Sequence, residues 1–316
     1  MTLVFLFPGQ GSQAVGMGSA WAREEPASRA VLEEADAILG EPLSQLIAEG
    51  PEETLRRTYY TQPALYTVEV AVLRGLQARG ISPAAAAGHS VGEYAALVAA
   101  NALDFAEGLR LVRLRAELME RARAGEPGGP GGMLAVLGLA DAQVEALCRE
   151  VREGVVEPAT YNAPGQMVVA GDAPGLEAFT QRARDAGARR LVPLKVSGPF
   201  HSSLLSEAAS RLGEALAEVA VAEPRVPVVA NVWARPYRSA REVREGLALQ
   251  VAAAVRWTDS VRWMGAQGMS RFVEAGPGNV LSGLVRRILP EAAVVQAGEP
   301  LEAEELVGSR KRGETG

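Results

Sequence analysis

The sequence ISPAAAAGHSVGEYAALVAA, residues 81–100, contains a short apolar run, a turn with two glycines and a longer apolar run at helical spacing. Residues 81–87 have the length and apolarity of a buried strand, and 91–102 are predicted to form a helix. A strand that leads directly into a helix is the repeating unit of a doubly wound parallel sheet. The sequence therefore indicates an α/β fold.

The same alternation of strands and helices continues toward both ends of the chain. Predicted strands occupy 2–7, 226–232 and 271–274, and predicted helices occupy 27–39, 63–79, 105–123, 203–219, 240–254, 258–267 and 279–289. Between these halves, GEPGGPGG at 125–132 marks a break, and the order β-α-β-β-α-β that follows it is the ferredoxin-like pattern. We expect a large parallel-sheet lobe at 1–126 and 197–298, an inserted ferredoxin-like small subdomain at 127–196 and a mobile tail at 299–316.

Composition and charge exclude several classes of protein. The 316 residues are 48% apolar, as in globular proteins, and the net charge of −6 gives nucleic acid or an anionic membrane no electrostatic reason to bind. With one cysteine, Cys148, and two histidines, neither an internal disulfide nor a zinc site is expected. No signal peptide and no apolar stretch of about 18 residues is found. We expect a soluble, cytoplasmic protein.

Gly88-His89-Ser90-Val91-Gly92 has the G-x-S-x-G form of a nucleophile elbow. This motif needs a sharp strand-to-helix turn, which projects the serine hydroxyl outward, and the predicted setting provides one. Ser90 is therefore a candidate nucleophile. The main-chain N–H of Val91, at the start of the predicted helix, would face the oxyanion that forms when Ser90 attacks a carbonyl group.

A serine hydroxyl needs a general base, and the sequence offers only two histidines. His89 adjoins Ser90 and is expected to point in another direction. His201 lies in a Gly-Pro loop between a predicted strand and a predicted helix, where functional groups are often presented. The alternative is a surface or helix-capping histidine, but the lack of another base for Ser90 favours His201 as the catalytic base.

Arg115 is the one charged residue in the apolar arc of the predicted helix 105–123. A buried guanidinium needs a partner, preferably a carboxylate that it binds in bidentate fashion. The partner could equally be a structural Asp or Glu or the carboxylate of a ligand. Arg110, Arg113 and Arg121 fall on the opposite face of the helix and are expected to be solvated.

Gly9-Gln10-Gly11 and Gly276-Pro277-Gly278 are predicted turns between strands and helices. Neither has the form of a nucleotide-phosphate loop. Both are expected at the carboxyl edge of the sheet, where α/β active sites assemble. The main-chain N–H of Gln10 is therefore a second candidate donor to the oxyanion.

Several motifs in this order resemble the malonyl-CoA:acyl-carrier-protein transacylase family, which is related to the acyltransferase domains of polyketide synthases. The resemblance covers about residues 3–297. The motifs are FPGQGSQ at 7–13, GHSVGEY at 88–94, LRAELM at 114–119, YNAPGQ at 161–166, FHS at 200–202 and EAGPGNVL at 274–281.

The resemblance implies an α/β-hydrolase-like large lobe, no cofactor, and malonyl-CoA and acyl carrier protein as partners. It assigns Ser90 and His201 to catalysis, Gln10 and Val91 to the oxyanion hole, and Arg115 to the carboxylate of the malonyl group. Three further assignments follow from it. The main-chain carbonyl of Gln250 orients His201, Asn162 contacts the substrate, and Phe200 lies beside the acyl group and favours malonyl over methylmalonyl.

Three alternative functions remain open at this point. A serine esterase would share the elbow, but it would usually have an acidic third member and would give Arg115 no role. A non-catalytic carrier-protein-binding relative would have no need of Ser90 and His201. An acyltransferase for another dicarboxylic or branched donor would differ only in its substrate. We expect a monomer. We also expect a basic patch on its surface that binds the acidic carrier protein, and this patch could include Arg286 and Arg287.

Overall fold

The structure, a computed structural model, describes residues 2–121, 131–304 and 306. In chain order the strands are β1 Val4–Phe7, β2 Ala85–Gly88, β3 Gly132–Leu137, β4 Val156–Ala163, β5 Gln166–Gly171, β6 Arg190–Pro193, β7 Val228–Val229, β8 Arg271–Glu274 and β9 Ala293–Gln296. The helices are α1 Ser19–Glu24, α2 Pro26–Leu39, α3 Leu43–Glu49, α4 Glu52–Leu55, α5 Thr58–Ala78, α6 Gly92–Ala99, α7 Phe105–Arg121, α8 Asp141–Glu150, α9 Ala173–Asp185, α10 Ser206–Glu218, α11 Ala240–Ala252, α12 Trp257–Ala266 and α13 Val280–Ile288, with a 3₁₀ turn at Ser203–Leu205.

The larger sheet has five parallel strands in the order β7-β2-β1-β8-β9. Its central strand, β1, is completely buried, as expected for a strand covered by helices on both faces. Helix α6 packs on β1 and β2, and α5 packs between α2 and α7. The carboxyl ends of β1 and β2 lie side by side, because Phe7 pairs with Gly88. This register brings the turns that begin at Pro8 and His89 to the same edge of the sheet.

The smaller sheet has four antiparallel strands in the order β4-β5-β3-β6, with α8 and α9 packed on it. A β-α-β-β-α-β chain with this strand order is the ferredoxin-like arrangement. Main-chain hydrogen bonds between described residues join it to the larger lobe: Tyr161 donates to the carbonyl of Val255, and Val255 donates to that of Ala159, each at 2.9 Å. The predicted fold class, a parallel α/β lobe with an inserted ferredoxin-like unit, is confirmed.

The structure differs from the sequence-based prediction in detail. The strand predicted at 226–232 is only Val228–Val229, because the chain then turns back and pairs Val229 with Pro236. Strand β9 was not predicted. Arg113 is buried rather than solvated: its guanidinium lies 3.9 Å from the centre of the Tyr59 ring and pairs with Glu41.

The domain limits stay a prediction, and most of the segment predicted as a mobile tail lies outside the described residues. Two residues of that segment, Ala303 and Leu306, are buried in the core of the larger lobe. Within the part of the chain that the structure describes, no helix combines the length and apolarity needed to cross a membrane.

Candidate active site

The turn between β2 and α6 holds Ser90 in a conformation that few residues other than glycine adopt, with φ of 54°. The glycines on either side allow the turn to close. A Cβ at Gly88 would lie 2.0 Å from the carbonyl carbon of Gly92, and a Cβ at Gly92 would lie 2.2 Å from the carbonyl oxygen of Phe7. Both glycines are therefore required by contacts with backbone atoms, which cannot move aside as a flexible side chain could.

Gly92→Ala is expected to lower the free energy of unfolding by about 3 kcal/mol, because the new methyl group overlaps the backbone of β1. The matched control is Gly283→Ala in α13, where an added Cβ meets nothing within 4 Å. That variant should be neutral or more stable by up to about 1 kcal/mol, since alanine favours helix. Urea denaturation of both variants checks this, and equal midpoints would contradict the packing argument.

Ser90 and His201 form a hydrogen-bonded pair. Ser90 Oγ lies 2.8 Å from His201 Nε2, and His201 Nδ1 lies 2.7 Å from the main-chain oxygen of Gln250. Because a carbonyl oxygen can only accept, Nδ1 carries the proton and Nε2 is free to accept one from Ser90. Burial and, secondarily, the positive charge of Arg115 lower the pKa of His201 to about 3, so the imidazole is neutral near pH 7.

Arg115 is buried beside this pair and has only neutral hydrogen-bond acceptors. Its Nη2 donates to Ser90 Oγ at 2.9 Å and to Gln250 Oε1 at 2.8 Å, and its Nη1 donates to Gln62 Oε1 at 2.6 Å. Its Nε–H is buried without a partner among the described residues. No carboxylate of the described chain forms an ion pair with it. Of the two partners that the sequence left open, a ligand carboxylate fits this arrangement better than a structural one.

The other predicted site residues lie around the same cavity, which Ser90, Arg115 and His201 line together with Gln10, Asn162 and Phe200. Within the described part of the chain, neither the main-chain N–H of Gln10 nor that of Val91 donates a hydrogen bond, so both are available to an oxyanion. Asn162 Oδ1 lies 2.9 Å from His89 Nε2, and Ser90 Oγ is hydrogen-bonded to His201 and Arg115 rather than to His89. Phe200 is buried in the cavity wall.

Three residues that hold the elbow in place were not found from the sequence. The side-chain oxygen of Asn231 accepts the main-chain N–H of Ser90 at 2.8 Å, and its nitrogen donates to the carbonyl of Gly88 at 2.6 Å. Glu93 accepts hydrogen bonds from the main chain of Asn231 and from the hydroxyl of Tyr237. Glu93 could have been noted as a charged residue in an apolar helix, as Arg115 was.

The two arginines considered for carrier docking make contacts within the protein. Arg287 donates to the side-chain oxygen of Gln166 and, at 3.1 Å, to the carbonyl of Pro164, so α13 is tied to the turn between β4 and β5. Arg286 donates to the carbonyl of Val294. Among residues 2–121, 131–304 and 306, no group of three or more His, Cys, Asp or Glu side chains is arranged to hold a metal ion.

Comparison with known proteins supports an acyl-transfer site. The family model described as acyl transferase domain matches residues 4–316. The malonyl CoA-acyl carrier protein transacylase of Bacillus subtilis is 42% identical over 300 residues, with 94% of each chain covered. The crystal structure of an acyl-carrier-protein S-malonyltransferase from Burkholderia pseudomallei has a TM-score of 0.94 and 42% identity, covering 98% of this chain and 100% of its own.

A second similar structure is a malonyl-transacylase in complex with a type II polyketide-synthase acyl carrier protein. It has a TM-score of 0.93 and 38% identity, and covers 98% of this chain and 100% of its own. These matches extend over both lobes and not over the elbow alone.

Proposed function

Because this chain belongs to the acyl transferase family, we propose that it moves the malonyl group from malonyl-CoA to the phosphopantetheine thiol of acyl carrier protein. The transfer passes through a malonyl ester of Ser90 and supplies extender units for fatty-acid synthesis. The relatives named as malonyl transacylases, one of them bound to a carrier protein, support both substrates.

The observation that carries this proposal is the position of Arg115. Its guanidinium contacts the nucleophile, and among the described residues it forms no ion pair with a carboxylate and keeps a buried N–H unpaired. The cost of burying that charge is best offset by a carboxylate that arrives with the substrate. An esterase for uncharged acyl groups would leave Arg115 unexplained.

In the first half of the reaction, Ser90 Oγ attacks the thioester carbonyl while His201 Nε2 takes the hydroxyl proton. The carbonyl oxygen becomes negatively charged and is stabilised by the N–H groups of Gln10 and Val91. The C–S bond then breaks, His201 gives the proton to the sulfur, and CoA leaves as a thiol. The product is malonyl-Ser90 with a neutral histidine.

The second half repeats these steps with the carrier protein. The phosphopantetheine thiol gives its proton to His201 and attacks the ester carbonyl of malonyl-Ser90. The bond from the carbonyl carbon to Ser90 Oγ breaks, and His201 returns the proton to Oγ. Phe200 lines the cavity, and a phenyl ring beside the bound acyl group would crowd an α-methyl group, which supports malonyl over methylmalonyl as the donor.

Intact-protein mass after incubation with malonyl-CoA alone tests this function. We expect one malonyl unit per chain, located on Ser90 by digestion, and complete discharge when acyl carrier protein bearing phosphopantetheine is added. Carrier protein without phosphopantetheine is the control and should discharge nothing. If no donor forms an adduct, the chain is a non-catalytic binding protein. If methylmalonyl-CoA or another donor loads faster, the donor assignment is wrong.

The cytoplasmic location, the monomeric state and the absence of a cofactor, of nucleic acid and of a membrane partner remain predictions from the sequence. The negative net charge of −6 supports the two statements about nucleic acid and anionic membranes.

A further inference from the structure

Glu93 is completely buried and is linked to Arg115 through one side chain. Gln250 Oε1 accepts a hydrogen bond from Arg115 at 2.8 Å, and Gln250 Nε2 donates to Glu93 Oε2 at 2.5 Å. The other oxygen of Glu93 accepts from the main chain of Asn231 at 3.0 Å and from Tyr237 Oη at 2.7 Å. Glu93 therefore adds a negative charge to the buried network that contains Arg115, but Gln250 lies between the two side chains and they form no direct ion pair.

Substrate binding changes this balance. When a malonyl carboxylate contacts Arg115, one buried positive charge faces two negative charges, that of the donor and that of Glu93. Like charges within one buried network raise the pKa of the group that can accept a proton. The malonyl carboxylate contacts Arg115 directly, whereas Gln250 separates Glu93 from Arg115. Glu93 is therefore the carboxylate whose protonation costs less.

Resting on the proposed function, we propose that Glu93 takes up a proton when the malonyl carboxylate binds Arg115, and that the preference for charged acyl donors depends on this proton. Glu93 is a positioning residue in this scheme, since it acts on the substrate only through Gln250 and Arg115. Donors without a carboxylate, such as acetyl-CoA, leave the charge balance unchanged and need no proton.

The surroundings of Glu93 are suited to this role. The charged and titratable groups that face it are Arg115 of α7, Tyr237 of the segment after β7 and Tyr94 of its own helix. Burial raises the pKa of Glu93 to about 7, against the hydrogen bonds from Tyr237, Gln250 and Asn231 and the charge of Arg115, which lower it. The added proton can be placed on Oε1, where the Tyr237 hydroxyl can reverse and accept a hydrogen bond.

The direction of the pH dependence follows from this proton. Because the bound donor raises the pKa of Glu93, the complex holds more protons than the free enzyme, and affinity for malonyl-CoA falls as the pH rises. If the two carboxylates are taken to be about 10 Å apart at an effective dielectric constant of about 20, their repulsion lowers the affinity for malonyl-CoA by at most about tenfold. We expect the ratio of KM for malonyl-CoA to KM for acetyl-CoA to rise about fivefold from pH 6 to pH 8. The CoA phosphates are common to both donors, so their titration cancels in the ratio.

Calorimetry measures the proton directly. Malonyl-CoA and acetyl-CoA are titrated at pH 7.5 into the Ser90→Ala protein, which cannot turn them over, in two buffers of different ionisation enthalpy. We expect an uptake of about half a proton per malonyl-CoA in excess of that for acetyl-CoA. Equal uptake for the two donors would overturn the proposal.

Two substitutions in the Ser90→Ala background then identify the group. Tyr237→Phe removes a hydrogen bond that favours ionised Glu93, so the pH of maximal uptake should rise. Tyr66→Phe is the matched control, since Tyr66 is also buried and donates to a main-chain carbonyl, that of Phe105, away from Glu93. Glu93→Gln should abolish the excess uptake. If Tyr237→Phe and Glu93→Gln both fold and both keep the original dependence of proton uptake on pH, the proton is taken up by another group.

Failure of this inference is distinguishable from failure of the proposed function. If the wild-type chain is loaded by malonyl-CoA and discharged by the carrier protein, but the two donors take up protons equally, only the role of Glu93 is wrong. If loading itself fails, the proposed function is wrong.

Discussion

Ser90→Ala is expected to form no malonyl adduct and to lose transfer activity by on the order of 10⁶-fold, to the rate of direct thiol exchange. The reason is that, among the described residues, Ser90 is the hydroxyl group of this cavity that is hydrogen-bonded to a histidine, whereas Ser12 and Thr160 line the cavity without such a base. The one cysteine, Cys148, belongs to the core of the smaller lobe, where burial raises the pKa of its thiol to about 12 and keeps it protonated. Intact-protein mass and transfer to the carrier protein measure the two losses separately.

Ser202→Ala is the matched control for this substitution. Ser202 is buried next to His201 in sequence, and its hydroxyl donates to the carbonyl of Pro199 rather than to the cavity. Removal of the Ser202 hydroxyl should lower the free energy of unfolding but leave the loading of Ser90 with malonyl unchanged. A malonyl adduct of normal yield on folded Ser90→Ala would place the nucleophile elsewhere and would end the assignment of the elbow serine.

Arg115→Ala is expected to separate charged donors from uncharged ones. We expect loading from malonyl-CoA to fall by about 10³-fold, because a carboxylate loses a charge-assisted bidentate partner in a buried site. Loading from acetyl-CoA should fall much less, since its methyl group makes no such contact. The quantity to measure is the ratio of kcat/KM for the two donors, because changes in Ser90 reactivity affect both and cancel.

Arg113→Ala is the control for the general cost of removing a buried arginine from α7. Arg113 lies two residues away on the same helix, but it pairs with Glu41 and stacks on Tyr59, outside the cavity. The variant should be less stable with an unchanged ratio between the two donors. A fall of equal size for malonyl-CoA and acetyl-CoA in Arg115→Ala would contradict the role of Arg115 as the carboxylate clamp.

The sequence identifies the residues that perform chemistry more readily than those that support them. Ser90 stands in a local motif, His201 is one of two histidines, and Arg115 interrupts an apolar helical face. Each of these signals lies within a few residues of chain. Asn231 has no such signal, because its contact with Ser90 joins residues 141 positions apart. Only the pairing of β2 with β7 brings them together.

Arg113 shows why helical periodicity has a limit. The pattern places it correctly on the polar face of α7, but the pattern cannot tell solvent from a polar partner. In the structure the carboxylate of Glu41 and the ring of Tyr59 cover that face. Glu93 shows the same limit of a sequence pattern. Its charge would suggest a solvent-exposed position, but it lies in helix α6, in which every residue is buried.

The contact between His201 Nδ1 and the main-chain oxygen of Gln250 has an evolutionary consequence. Every amino acid has a carbonyl oxygen, so no point substitution at position 250 deletes the group that orients the histidine, as a substitution of an aspartate would in a Ser-His-Asp triad. The side chain at 250 is thereby free to be selected for other contacts, which in this protein include those with Arg115, Glu93 and the main-chain oxygen of Ser90. The orientation of the base is vulnerable instead to insertions and deletions that shift the last turn of α11.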